Sequence, residues 1–164
     1  MYEGVAYSAL WKLMSWLPGF ILRRWISKEW LAERTHIDVR ARPTGVQING
    51  GEIPRAYIWL TIHNTGYFPI QLDRLTAELT LAGAAVELYH LNRITIPAEK
   101  SYNFYMTGSV PQGLISHFAR NIKHSDTVSV SVQAEFNSDI HEFSVNTGSM
   151  GGIKPDTTNL PSQS

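Results

Sequence analysis

The chain is 164 residues long, and its 14 Lys plus Arg balance 14 Asp plus Glu for a formal charge of zero. That length is one domain's worth at ~100–200 residues per domain, and the charge balance argues against a general nucleic-acid binder, which needs surplus cations facing phosphates. With no cysteine, a disulfide framework, a thiolate zinc site and a cysteine nucleophile are excluded.

The first thirty residues differ from the rest. They hold Trp11, Trp16, Trp25 and Trp30, four of the five Trp, and Lys12 is the only charge between Gly4 and Leu22. A helix over those residues would reach roughly 28 Å, close to the ~30 Å hydrocarbon thickness. Arg23, Arg24 and Lys28 follow, and an apolar run with Trp near its ends and a basic flank suits a bilayer. Ser8, Lys12, Ser15 and Gly19 line one helical face, while Leu10, Leu13, Met14, Leu17, Phe20 and Ile21 cover most of the remainder. This narrow polar stripe suits a helix lying in the interface. A spanning helix is the alternative: Lys12 at mid-membrane costs ~2.5–3.5 kcal/mol, and the basic flank keeps the following domain in the cytoplasm. Pro18 would kink or divide the helix. A cleaved signal peptide fits poorly, because Met-Tyr-Glu carries no positive side chain and the apolar run ends in Arg23-Arg24. Packing on its own domain or on a partner subunit is the other reading, since soluble proteins also bury such helices.

From residue 34 the period becomes two. Ile37, Val39 and Ala41 alternate with polar residues up to Pro43; Val46 and Ile48 lead to the Asn49-Gly50-Gly51 turn. Ala56 to His63 has no charge on either face, the pattern of a central strand. Leu75 to Leu81, Val86 with Leu88, Ile94 with Ile96, and Tyr102 to Met106 continue the alternation. Val128 to Phe136 is its cleanest run, followed after the Asn137-Ser138 turn by a last strand over Ile140 to Val145. Ser109, Pro111 and Gln112 signal the start of one helix over 110–121, with Leu114, Ile115 and Phe118 on one stripe. Many short strands with few helices predict an antiparallel β-sandwich over 34–146. The apolar helix is assigned to 1–33, and the Gly/Ser/Thr/Asn-rich residues 147–164 to a disordered tail.

The stretch Asn64-Thr65-Gly66-Tyr67-Phe68-Pro69-Ile70-Gln71-Leu72 resembles a pattern of the group-2 late-embryogenesis-abundant, or WHy-domain, family. There an Asn closing an apolar strand precedes an aromatic-Pro-apolar step, a strand and a Gly turn, supplied here by Leu75 to Gly83. Ile94 to Ala98 is similar to the family's later apolar-Pro-Ala element. Asn64-Thr65-Gly66 stands where the family has Asn-Pro-Asn. The resemblance implies an immunoglobulin-like or fibronectin-like β-sandwich, often behind a membrane anchor. It also implies a role in stress protection or membrane-associated binding, without a catalytic site.

The chemistry-bearing residues form no local motif. His36, His63, His90 and His117 recur every 27 residues, but their surroundings share nothing, and no His-Glu-x-x-His occurs. Glu78, Glu87, Glu135 and Glu142 fall on solvent faces of strands. No metal or other cofactor is expected. The reading is a non-enzymatic β-sandwich that meets a membrane surface or a protein partner through residues 4–30. Its expected contact residues are Leu10, Trp11, Lys12, Leu13, Trp16, Leu17, Phe20, Ile21, Arg23, Arg24 and Trp25. A soluble subunit docking through the same helix is the second reading, and a hydrolase with a non-local site the third.

Overall fold

The alternating segments build two five-stranded sheets around one apolar core. The computed structural model describes residues 16–39, 45–81, 83–121 and 127–161. Their elements are α1 (Gly19–Trp25), α2 (Lys28–Glu33), β1 (Thr35–Asp38), β2 (Val46–Asn49), β3 (Arg55–Asn64), β4 (Ile70–Leu81) and β5 (Ala84–His90). After these come β6 (Ile94–Ile96), β7 (Lys100–Ser109), α3 (Gln112–Asn121), β8 (Val128–Asn137), β9 (Phe143–Ile153) and β10 (Asp156–Thr158).

In the first sheet β3 is central, as its uncharged faces require. β1 and β2 pair in turn along one edge of β3, and β7 pairs along the other without interruption from Arg55↔Ser109 to Asn64↔Lys100. Ile58, Leu60 and Ile62 are fully buried on its inner face. In the second sheet β4 is central, with β5 and β6 along one edge, β8 along the other and β9 beyond. A bulge between Leu72 and Arg74 lets both Leu72 and Leu75 point inward despite their odd spacing. Val130, Val132, Ala134 and Phe136 face them from β8, and Phe136 stacks on Phe143 of β9 at 5.2 Å. Each such side chain contributes ~1.5–3 kcal/mol on full burial before ordering costs. α3 buries Ile115 and Phe118 and half-buries Leu114 against the core, the three residues predicted from spacing, and buries Ala119 as well.

Asn64 ties the two sheets at one end. It is buried at the last position of β3. Its Nδ2 donates to the carbonyl oxygens of Phe68, Pro97 and Ile96 at 2.8, 3.1 and 3.3 Å. Its Oδ1 accepts from the Gly66 backbone N–H at 3.0 Å. One side chain thus joins the end of β3 to the approach of β4 and the exit of β6.

Three expectations are corrected. Residues 147–161 are not a disordered tail: β9 runs to Ile153 and β10 follows. Register shifts on the β8–β9 ladder break the alternation by which a strand is recognised. Thr147 Oγ1 there accepts the Val132 N–H at 3.0 Å, in place of a backbone carbonyl. The strands are also not all antiparallel, because β10 pairs parallel to β2. Gly50 permits this: its N–H donates to Thr158 O at 2.9 Å, and a Cβ there would lie 2.8 Å from Asn159 O. Finally, the segment assigned to one helix over 1–33 is divided within the described residues. α1 begins after Pro18, and Ser27 starts α2 afresh by accepting the Trp30 N–H on its hydroxyl at 3.1 Å. The portion of that helix before residue 16 lies outside the described residues.

Asn64→Leu leaves three carbonyls and one N–H without their partner, and should lower stability by about 2–4 kcal/mol in urea unfolding at an unchanged denaturant slope. Gly50→Val should displace β10, seen as lost hydrogen-exchange protection at 156–158 while the β3 and β4 amides keep theirs.

Candidate functional site

Of the expected contact residues, Trp16, Leu17, Phe20, Ile21, Arg23, Arg24 and Trp25 are described, and they lie on α1 and just before it, beside the 65–69 crossing at the Asn64 end of the sheets. Leu10, Trp11, Lys12 and Leu13 lie outside the described residues. The described residues from 16 to 32 divide by helical geometry into two sets. Leu22, Ile26 and Leu31 are buried, with Leu17, Trp30 and Ala32 half-buried against the core. Pointing away are Trp16, Phe20 and Trp25, at 92%, 74% and 68% exposure, with Arg23, Arg24 and Lys28 exposed beside them. Leu17 therefore spends apolar surface on its own domain and Ile21 is half-buried, a division that a contact stripe drawn on an isolated helix does not show.

Two devices seat the helices. His141, in the turn between β8 and β9, places Nε2 2.9 Å from Ile26 O and 3.3 Å from Arg23 O. Carbonyls only accept, so that nitrogen carries the proton, and it satisfies carbonyls left free where α1 ends. The turn is itself braced by Ser138, whose Oγ accepts the His141 N–H at 3.1 Å and donates to His141 O at 2.9 Å. On α2, Trp30 stacks with Tyr67 at 6.5 Å, and the Arg34 guanidinium lies 4.7 Å from the Trp30 ring. Sequence reasoning missed His141, Ser138 and Tyr67, because each contributes through a contact distant in the chain. The Asn137-Ser138 turn signal locates the loop but not what it grips.

Hollows flank the helices. A groove of about 590 Å³ lies where α2 meets β9, with Lys28, Glu29, Asp73, Glu135, Glu142 and Phe143 in its walls. Glu29 is held below the ordinary carboxylate range, first by a backbone N–H and then by the Ser27 hydroxyl. Arg93 Nε stands 3.1 Å from Asp73 Oδ1 as an ion pair. A smaller hollow of about 290 Å³ beneath α1 is lined by Leu17, Leu22, Phe68, Pro69 and Ile140. Among the described residues no three His, Asp or Glu converge as metal ligands. His36 and His63 are cross-strand neighbours, and His63 Nδ1 meets Ser101 Oγ at 2.7 Å. Ser101 is exposed, and the His63–Ser101 pair lines neither of these two hollows. Among the described residues no helix is long and apolar enough to cross a membrane.

No family model and no curated protein matches this chain. Solved structures do. The Northeast Structural Genomics Consortium target SoR45 aligns with a TM-score of 0.50 at 14% identity, over 82% of this chain and 97% of its own. A protein from Arabidopsis thaliana, solved in solution, aligns at 0.43 and 14% identity over 70% and 81%. One from Archaeoglobus fulgidus aligns at 0.43 and 8% over 73% and 94%. The first likeness bears on the fold alone.

His141→Phe removes the donor that closes α1. Amide exchange over residues 19–26 should rise at least tenfold, with a loss of only about 1 kcal/mol in global unfolding.

Proposed function

We propose that this protein is a non-enzymatic binding module, an immunoglobulin-like β-sandwich held at a membrane surface by its helical end. The observation that carries the proposal is the sidedness of residues 16–28. Leu22 and Ile26 anchor the segment on the core, while Trp16, Phe20 and Trp25 stand in solvent beside Arg23, Arg24 and Lys28. A monomeric domain gains nothing by exposing three large aromatics together. Aromatics at headgroup depth beside cations are what an anionic interface rewards. The resemblance of Asn64 to Leu72 to the late-embryogenesis-abundant group-2 pattern supports the same class: binding or stress protection near a membrane, without a catalytic centre.

The magnitudes suit reversible attachment. Partial insertion of three aromatics yields a few kcal/mol at ~1.5–3 kcal/mol per fully buried side chain, and each cation near an anionic surface adds about 1 kcal/mol. The cytoplasmic leaflet, which carries the anionic lipid, is the surface such a patch fits.

Flotation with phosphatidylcholine vesicles, with and without phosphatidylserine, tests this on the full chain. Replacing Trp16, Phe20 and Trp25 together by Ala should weaken binding to both vesicles by about 100-fold. Arg23→Gln with Arg24→Gln should cost about 30-fold on the anionic vesicles and little on the neutral ones. All five side chains are exposed, so melting should not change. Folded wild type that floats with neither vesicle overturns the membrane reading and leaves this face as a protein-docking surface.

A further inference from the structure

The free edge of the first sheet is built differently from every other sheet edge among the described residues. β1 and β10 are edges of four and three residues. β6 is equally short and stops at Pro97. β5 carries exposed Glu87 at its centre, and β9 is interrupted by register shifts. Short length, charge, proline and bulges are the means by which edges avoid pairing with other chains. From Ser101 to Ser109 β7 has none of them. It runs ten residues in unbroken register with β3, contains no proline, and has one charge, Lys100, at its very start.

Its unpaired backbone groups can be assigned. The Trp59 N–H donates to Gly45 O and the Thr65 N–H to Arg34 O, so the odd-numbered residues of β3 aim their backbone toward β1 and β2. Even-numbered β3 residues therefore bond β7, through their register partners Tyr102, Phe104, Met106 and Gly108. In an antiparallel ladder the alternate residues face the other way. Ser101, Asn103, Tyr105, Thr107 and Ser109 thus present N–H and C=O outward, and no described strand pairs with them.

We propose that this edge pairs with a second copy of itself, β7 against β7 antiparallel, across a two-fold axis at Tyr105. The strand is self-complementary in that register. Tyr105 meets Tyr105 of the other copy, Asn103 meets Thr107, and Ser101 meets Ser109. All five outward-facing residues then exchange both backbone bonds. On the inner face Tyr102, 41% exposed, comes opposite Gly108, which has no side chain, and Phe104 comes opposite Met106. The two Lys100 residues lie at opposite ends of the ladder, so no like charges are juxtaposed. Each sheet edge is the same patch on both copies, the requirement of a closed two-fold dimer. A strand from an unrelated protein would share the backbone pattern but not this side-chain matching. Because the paired strands run antiparallel, the two helical ends face opposite directions and remain free.

Sedimentation of the full chain with Tyr105→Lys and Tyr105→Glu is the test. Tyr105 is 59% exposed and its backbone N–H faces away from β3, toward no strand among the described residues, so both variants should fold with wild-type melting curves. Wild type should sediment at twice the monomer mass, each variant alone at the monomer mass, and an equimolar mixture at the dimer mass again. Amide exchange should then slow at Asn103, Tyr105 and Thr107 with rising wild-type concentration and stay constant at Phe104 and Met106. Wild type that remains monomeric at millimolar concentration overturns the proposal. So does a dimer that persists in both variants, which would place the contact elsewhere.

Discussion

A single buried amide holds the two sheets in register with each other at one end. Asn64 is among the few buried polar residues of the core, and its carboxamide meets four backbone groups in two crossing connections. A buried amide is costly unless its hydrogen-bonding capacity is used, so the chain is constrained to cross between the sheets where Asn64 can be satisfied. The consequences propagate outward. The 65–69 crossing presents Tyr67 to Trp30, and Phe68 and Pro69 to the hollow beneath α1. The helices therefore rest on a base that Asn64 sets.

The second consequence concerns which surfaces remain. The helices cover one end of the layers and spend Leu22, Ile26 and Leu31 doing so, and their outward sides carry the aromatic and basic residues. The long flank along β7 lies at right angles to that end. One surface offers side chains whose attraction is apolar and ionic; the other offers backbone donors and acceptors in a fixed row. Their chemistries differ, so occupancy of one need not compete with occupancy of the other.

Much of the sheet was legible from period two alone. Ile58, Leu60 and Ile62, or Val130, Val132 and Ala134, can be buried together only if the backbone is extended. The uncharged Ala56–His63 segment proved to be a central strand for the same reason. The interruptions escaped reading. The Leu72/Arg74 bulge and the register shifts on β9 each change which residues face inward, and nothing in the residue types around them announces it. In the candidate site, composition and helical spacing point to Trp16, Phe20, Arg23, Arg24 and Trp25 as contacts, and all five are exposed. The same spacing includes Leu17, which packs partly buried against the core, because a helix drawn in isolation has no knowledge of the surface beneath it.

The sequence by itself determined the alternation, the turns, the internal helix and the basic-aromatic character of the first thirty residues. All of these depend on neighbours within a few positions along the chain. Only the tertiary structure decided that residues 156–158 would join β2 in parallel, that His141 would close α1, and that β7 would stand as an unprotected edge. Each depends on groups brought together from far apart. Asp156 meets Gln47 and His141 meets Ile26. Local propensity carries no information about such pairings, since backbone hydrogen bonding is indifferent to residue type and distance along the chain is erased once the core has formed.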